Sequence, residues 1–120
     1  MTAKIKSEQS ATFWAFLGLM VLFLFLHAQV DESHRIEEAA VHYNVGNKYA
    51  GKDRYEEALA EYDRALRGDK ANWRAWFNRG STLKALGRKQ EAIASFRQVL
   101  EFNKNMPAAL QQLKELDATP

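Results

Sequence analysis

The order of hydrophobic and polar positions divides the chain into two parts with different periods. From Thr12 to Val30 the sequence reads TFWAFLGLMVLFLFLHAQV, apolar on every side, and no formal charge falls between Glu8 and Asp31. As a helix rising about 1.5 Å per residue, that stretch reaches roughly 28 Å, the hydrocarbon thickness of a bilayer. Beyond Asp31 apolar residues recur at spacings of three and four, the mark of helices with one buried face. Helices are predicted through Tyr49, from Tyr55 to about Arg67, from Trp73 to Ala85, from Lys89 to Phe102 and from Pro107 to Asp117. The breaks between them fall at Gly51-Lys52-Asp53, Gly68-Asp69 and Gly87. The fold class expected is all-α.

Two readings fit the first apolar run. Lys4 and Lys6 ahead of it resemble the basic end of a secretory signal, but Leu26-His27-Ala28 places bulky Leu where cleavage requires a small residue. Phe13, Trp14, Phe16, Phe23 and Phe25 also make the run bulkier than a signal core, so a membrane anchor over 12–30 is expected. Lys4 and Lys6 precede the span, whereas Asp31 and Glu32 follow it. The positive-inside rule then leaves residues 1–11 as a cytoplasmic tail and the body on the far side, in a bacterium the periplasm. Trp14 suits the cytoplasmic interface, and His27 and Gln29 the opposite one. No Pro or Gly lies between Gly18 and Gly46, which predicts one helix through a junction at 31–38, holding the body rigidly beside the bilayer.

The body repeats itself when the chain is displaced by 34 residues. Asn44/Asn78, Gly46/Gly80, Arg54/Arg88, Glu57/Glu91, Ala58/Ala92, Ala60/Ala94, Leu66/Leu100 and Lys70/Lys104 coincide, and Tyr43/Phe77, Leu59/Ile93 and Tyr62/Phe96 are conservative pairs. Each unit reads as a helical hairpin. Gly46, Ala58, Gly80 and Ala92 let its helices approach closely, and Tyr49, Tyr55, Tyr62, Trp76, Leu83 and Phe96 are expected to fill the space between. The pattern His42-x2-Val45-Gly46-x2-Tyr49 with Ala58-x3-Tyr62, then Trp76-x2-Arg79-Gly80-x2-Leu83 with Ala92-x3-Phe96, resembles the tetratricopeptide repeat. The resemblance implies a short α-solenoid with repeats at 39–72 and 73–106, a capping helix at 107–117 with Leu110, Leu113 and Leu116 on its apolar side, and a tail at 118–120. Its departures are His42 where a large apolar residue is usual, Arg79 where Leu is usual, and Lys70 and Lys104 where Pro is frequent. Two repeats fall short of the three usually needed for a self-sufficient stack, so a partner, self-association or the anchor is expected to supply the rest.

The family's groove is lined by first-helix positions, which map onto Ala40, Tyr43, Asn44, Asn47, Arg74, Phe77, Asn78, Ser81 and Lys84. Asparagine amides suit an extended peptide backbone, offering both donor and acceptor. Asn47 and Asn78 match two positions of the family's carboxylate clamp, but Tyr43, Ala108 and Gln112 stand where that clamp has Lys or Arg. The expectation is therefore not a chaperone-tail receptor.

Charge is unequally shared. The first repeat carries six Lys/Arg and six Asp/Glu, the second seven against two, so Arg74, Arg79, Lys84, Arg88, Lys89, Arg97 and Lys104 form a candidate surface for an acidic partner or anionic headgroups. His27, Asp31, His34, Glu38 and His42 fall on one helical face with metal-ligating chemistry. Neighbours on one straight helix rarely complete a coordination shell, so a wet juxtamembrane face is expected and no metal. The chain has no cysteine, no phosphate-binding glycine loop and no nucleophile set; Ser81 and Ser95 read as helix surface. No enzyme activity, cofactor, small-molecule substrate or nucleic acid is expected. The function expected is a protein-interaction scaffold, an assembly factor or accessory subunit of a photosynthetic, respiratory or translocation complex, with other subunits, client proteins and the bilayer as partners. The alternative is a periplasmic chaperone-like module holding extended clients in its groove.

Overall fold

The computed structural model describes residues 2–117, in which every regular element is an α-helix: α1 (Thr2–Ala50), α2 (Tyr55–Gly68), α3 (Trp73–Ala85), α4 (Lys89–Phe102) and α5 (Pro107–Asp117). The tail expected at 118–120 lies outside the described residues. The chain divides into two units, one ending at His34 and the other beginning at Arg35.

The first unit is helical and holds a segment long and apolar enough to cross a membrane, with none of its apolar stretch buried. Phe13, Phe16 and Phe23 are among its most exposed side chains. Phe13 meets Trp14 edge to face at 5.8 Å, and Phe23 stacks flat against His27 at 6.1 Å.

In the second unit helices stack in sequence, α2 on α3, α3 on α4 and α4 on α5. The small residues explain the spacing. A Cβ on Gly46 would lie 2.7 Å from the Tyr62 ring, and one on Gly80 would lie 2.9 Å from the Phe96 ring. Each ring thus lies directly on bare backbone, and each is buried. The turns repeat as well. Asp53 and Gly87, at the same place in successive repeats, hold φ of 57° and 74°. These left-handed residues let the next amides, Arg54 N–H and Arg88 N–H, donate back to the carbonyls of Tyr49 and Leu83. Arg54 and Arg88 then each pair with the glutamate three residues on, Glu57 and Glu91, at 2.6 and 2.8 Å. Asn72 caps α3 by accepting the Ala75 N–H.

A core of Leu59, Leu83, Ala92, Ile93, Phe96 and Leu116 closes around α3, with Phe77, Leu86 and Leu113 packed against it. Some assignments differ from expectation. Tyr62, Leu83 and Phe96 are buried, but Tyr49, Tyr55 and Trp76 are only half-buried. On α5 the inward positions are Ala109, Leu113 and Leu116, while Leu110 faces solvent, because the stripe resting on the core runs through Ala109 instead of Leu110.

The departures at Arg79 and His42 are both answered by polar partners. Arg79, where Leu is usual, donates through Nε to Asp63 at 2.6 Å and through Nη1 to Ser95 Oγ at 2.7 Å. Ser95 is therefore not a surface residue; it is fully buried, next to Phe96 in α4. His42, where a large apolar residue is usual, bonds through Nδ1 to Glu61 at 2.6 Å, and Glu61 also holds Arg64. Glu61 and Ser95 occupy the same place in successive repeats, so one position holds an ion pair in the first and a hydroxyl in the second.

Candidate partner-binding groove

Helix α1 beyond Arg35 presents Tyr43 and Asn47 one turn apart, and α3 presents Asn78 beside them. The Asn47 Oδ1 accepts two hydrogen bonds, from the Tyr62 hydroxyl at 2.7 Å and from Asn78 Nδ2 at 2.8 Å; Nδ2 lies 3.3 Å from the Tyr43 oxygen. The Tyr43 and Tyr62 rings meet at 6.2 Å. Two amides and two phenols from three helices thus form one connected floor. Burial pushes the Tyr62 hydroxyl up to about 12, reinforced by Tyr43, so the group is a neutral donor at any physiological pH.

Above this floor is a cleft of about 380 Å³ lined by Asn47, Ala50, Tyr55, Tyr62, Asn78, Ser81, Thr82 and Ala85. Thr82 turns its hydroxyl back onto the Asn78 carbonyl and Ser81 onto Phe77, which leaves the outer wall less polar than the sequence suggests.

The structure brings together Tyr43, Asn47, Asn78 and Ser81 from the expected groove set. Phe77 is set deeper, edge to face with Phe96 at 5.4 Å. Lys84 is drawn to the C-terminal helix, donating to Gln112 and Glu115 at 2.8 and 2.7 Å. Lys84 in turn holds the Glu115 carboxyl below the ordinary carboxylate range. Arg74 lies over its neighbour Trp73, 4.6 Å from the ring centre. Ala40 and Asn44 are exposed and line no part of the cleft.

Tyr62 is the groove residue that sequence reasoning treated as packing alone. The available signal was the contrast between repeats: Tyr43, Asn47 and Tyr62 become Phe77, Ser81 and Phe96 one repeat later, losing both phenol hydroxyls and exchanging the amide for a hydroxyl.

The basic surface expected in the second repeat is also smaller than its composition. Arg79, Arg88 and Lys84 are engaged by Asp63, Glu91 and Glu115. Among the described residues no group of three or more His, Asp or Glu side chains is placed to hold a metal ion; His42 turns to Glu61 and lies 3.9 Å from Glu38.

A family profile described as Tetratricopeptide repeat matches residues 43–107. Among curated proteins, the chain is 33% identical over 91 residues to ER membrane protein complex subunit 2-A of Xenopus laevis, covering 76% of the chain and 29% of that protein. It is 27% identical over 100 residues to DnaJ homolog subfamily C member 3 of Rattus norvegicus, covering 78% of the chain and 20% of that protein. The chain therefore spans less than a third of either relative. Among solved structures it is similar to the second TPR domain of human RPAP3, determined in complex with the HSP70 peptide SGPTIEEVD. The TM-score is 0.63 at 26% identity, over 67% of each chain.

Proposed function

Because the chain belongs to the tetratricopeptide repeat family, a family of protein-interaction scaffolds, we propose that it is a membrane-anchored scaffold, an accessory subunit or assembly factor of a membrane protein complex. The observation that carries this reading is the cleft over Asn47, Tyr62 and Asn78, whose amide floor suits the backbone of an extended partner segment. The apolar helix in residues 2–34 supports the membrane half of the proposal, as does the likeness to a protein named as a subunit of an ER membrane complex. In this reading residues 12–30 cross the bilayer as an uncleaved anchor, with Lys4 and Lys6 on the cytoplasmic side and the repeats opposite.

The groove chemistry bears on what it holds. The RPAP3 domain was solved with a chaperone peptide, but here Tyr43 stands at one basic clamp position and Lys84 is already committed to Gln112 and Glu115. The occupant proposed is an internal, uncharged stretch rather than a terminal carboxylate, and the role is binding rather than catalysis.

Affinity purification of the full chain in mild detergent, followed by mass spectrometry, tests this. A partner recovered with the wild type and lost with Asn47→Ala/Asn78→Ala, at unchanged helicity, is expected. Equal recovery from both proteins moves the site out of the groove. On a peptide array, one discrete epitope fits a scaffold, whereas broad, tolerant binding fits a module that holds unfolded clients.

A further inference from the structure

A second cleft opens between α2 and α3, with a volume of about 450 Å³ and lined by Asp63, Leu66, Arg67, Lys70, Trp76 and Arg79. It shares no residue with the groove over Asn47 and Asn78.

The polar groups inside this cleft are already satisfied. Asp63 accepts from Arg79 Nε, the Arg79 guanidinium leans toward the Trp76 ring at 5.8 Å, and Trp76 Nε1 donates to the Lys70 carbonyl at 2.9 Å. What remains open to a visitor is the half-buried indole, with buried Leu66 closing the wall behind it. The rim is different. Arg67 and Lys70 are exposed, and neither side chain has a carboxylate partner among the described residues, whereas Arg54, Arg64, Arg79 and Arg88 are all paired. Arg67 also borders an adjoining cleft of about 350 Å³, where Arg35 adds another cation.

An aromatic wall bordered by two exposed cations without carboxylate partners among the described residues is complementary to one kind of segment. We propose that this cleft is a second docking surface, for a short acidic peptide segment of a partner protein that seats a large apolar side chain against Trp76 and Leu66 and places flanking carboxylates on Arg67 and Lys70. The apolar side chain supplies burial, and the guanidinium fork supplies orientation. Repulsion at the rim excludes basic segments. The surface is independent of the groove, so one scaffold would hold two segments at once.

The test uses the full chain in nanodiscs of neutral lipid and a panel of fluorescent dodecapeptides with Phe, Trp or Leu flanked by Asp and Glu, read by anisotropy. At least one peptide is expected to bind, and Arg67→Glu/Lys70→Glu is expected to weaken it by about ten-fold or more. Both positions are solvent-facing, so an unchanged thermal midpoint verifies folding. Asn47→Ala/Asn78→Ala is expected to leave this binding intact, which separates failure here from failure of the groove reading. Three results overturn the proposal: no peptide of the panel binds, charge reversal leaves the affinity unchanged, or a lysine-flanked version binds equally well. If charge reversal abolishes instead the capture of anionic-lipid vesicles while no peptide binds, the cations serve a membrane surface and the peptide site is refuted.

Discussion

Arg79 and Ser95 form a part-buried guanidinium–hydroxyl contact of 2.7 Å, with Arg79 at a place where the repeat pattern calls for Leu. The arginine is held on its other side by Asp63, so neither member is left without a partner. Removing one member should therefore cost more than removing both. Arg79→Leu alone is expected to lower stability by about 1–3 kcal/mol, because Ser95 Oγ stays buried and unpaired, and Ser95→Ala alone by less, because Arg79 keeps Asp63. Arg79→Leu combined with Ser95→Ala is expected to fall within about 1 kcal/mol of the wild type. Chemical denaturation of the four proteins in a double-mutant cycle measures the difference, and strict additivity would contradict the account.

The glycine and aromatic pairs Gly46–Tyr62 and Gly80–Phe96 should respond alike. A methyl group at either glycine meets a buried ring at under 3 Å, and a ring held on all sides yields only by moving its neighbours. Gly46→Ala and Gly80→Ala are each expected to destabilise by about 1–3 kcal/mol, even though alanine favours the helix by about 1 kcal/mol. Thermal unfolding of the two variants decides the matter, and a stabilised variant would show that the ring can slide away.

The two left-handed turn residues should respond in opposite ways. Asp53 bears a side chain at φ 57° and Gly87 none at φ 74°. Gly87→Ala is expected to cost about 1 kcal/mol despite the open space around it. Asp53→Gly is expected to gain a few tenths to about 1 kcal/mol, reduced by loss of the exposed Tyr55 hydroxyl bond to Asp53. Midpoints of urea unfolding read both.

Acid should loosen the repeats through three exposed pairs. Bonding to Arg54, Arg88 and Lys84 holds the carboxyls of Glu57, Glu91 and Glu115 below their ordinary value of 4.5. A folded-state pKa below the unfolded one means the folded state binds fewer protons. The contribution is complete above about pH 5 and is lost as pH falls through the folded values. The thermal midpoint is expected to drop across that interval, less steeply in high salt, and the Glu→Gln triple variant should flatten the curve.

At the alkaline end the sign is reversed. Tyr62, pushed up from 10.0 to about 12 by burial, keeps its proton longer in the folded state. Its contribution is full below pH 10 and is lost as pH rises toward 12. Tyr62→Phe is expected to remove that slope and to cost about 1 kcal/mol at neutral pH, since Asn47 then keeps only Asn78 as donor. Ultraviolet titration of the phenols alongside unfolding measures both.

The fold class was legible because period, small residues and aromatic residues all point to the same hairpin. Gly46 and Tyr62 make the point: sixteen residues apart, each is explicable only by the other. The groove was legible in part. Asn47 and Asn78 stand out by type, but their bond to one another is a property of two helices side by side, and no spacing along the chain encodes it. Ser95 was misread because a lone hydroxyl on a helix carries no sign of burial; its partner Arg79 lies on another helix, and the two become one feature only after folding. Lys84 was read as a groove cation for the same reason, since Glu115 reaches it from α5, thirty-one residues away.

The contrast between Tyr43, Asn47 and Tyr62 and their counterparts Phe77, Ser81 and Phe96 has a consequence for direction. Because the Tyr62 hydroxyl meets the Asn47 and Asn78 amides, while the lining continues along α1 and α3 to Ala50 and Ala85, the cleft has a polar and an apolar end. A polypeptide is itself directional, with amide and carbonyl vectors that invert when the strand is turned around. In the proposed groove, two unlike ends would favour a segment threaded in one direction over the same segment threaded in the other.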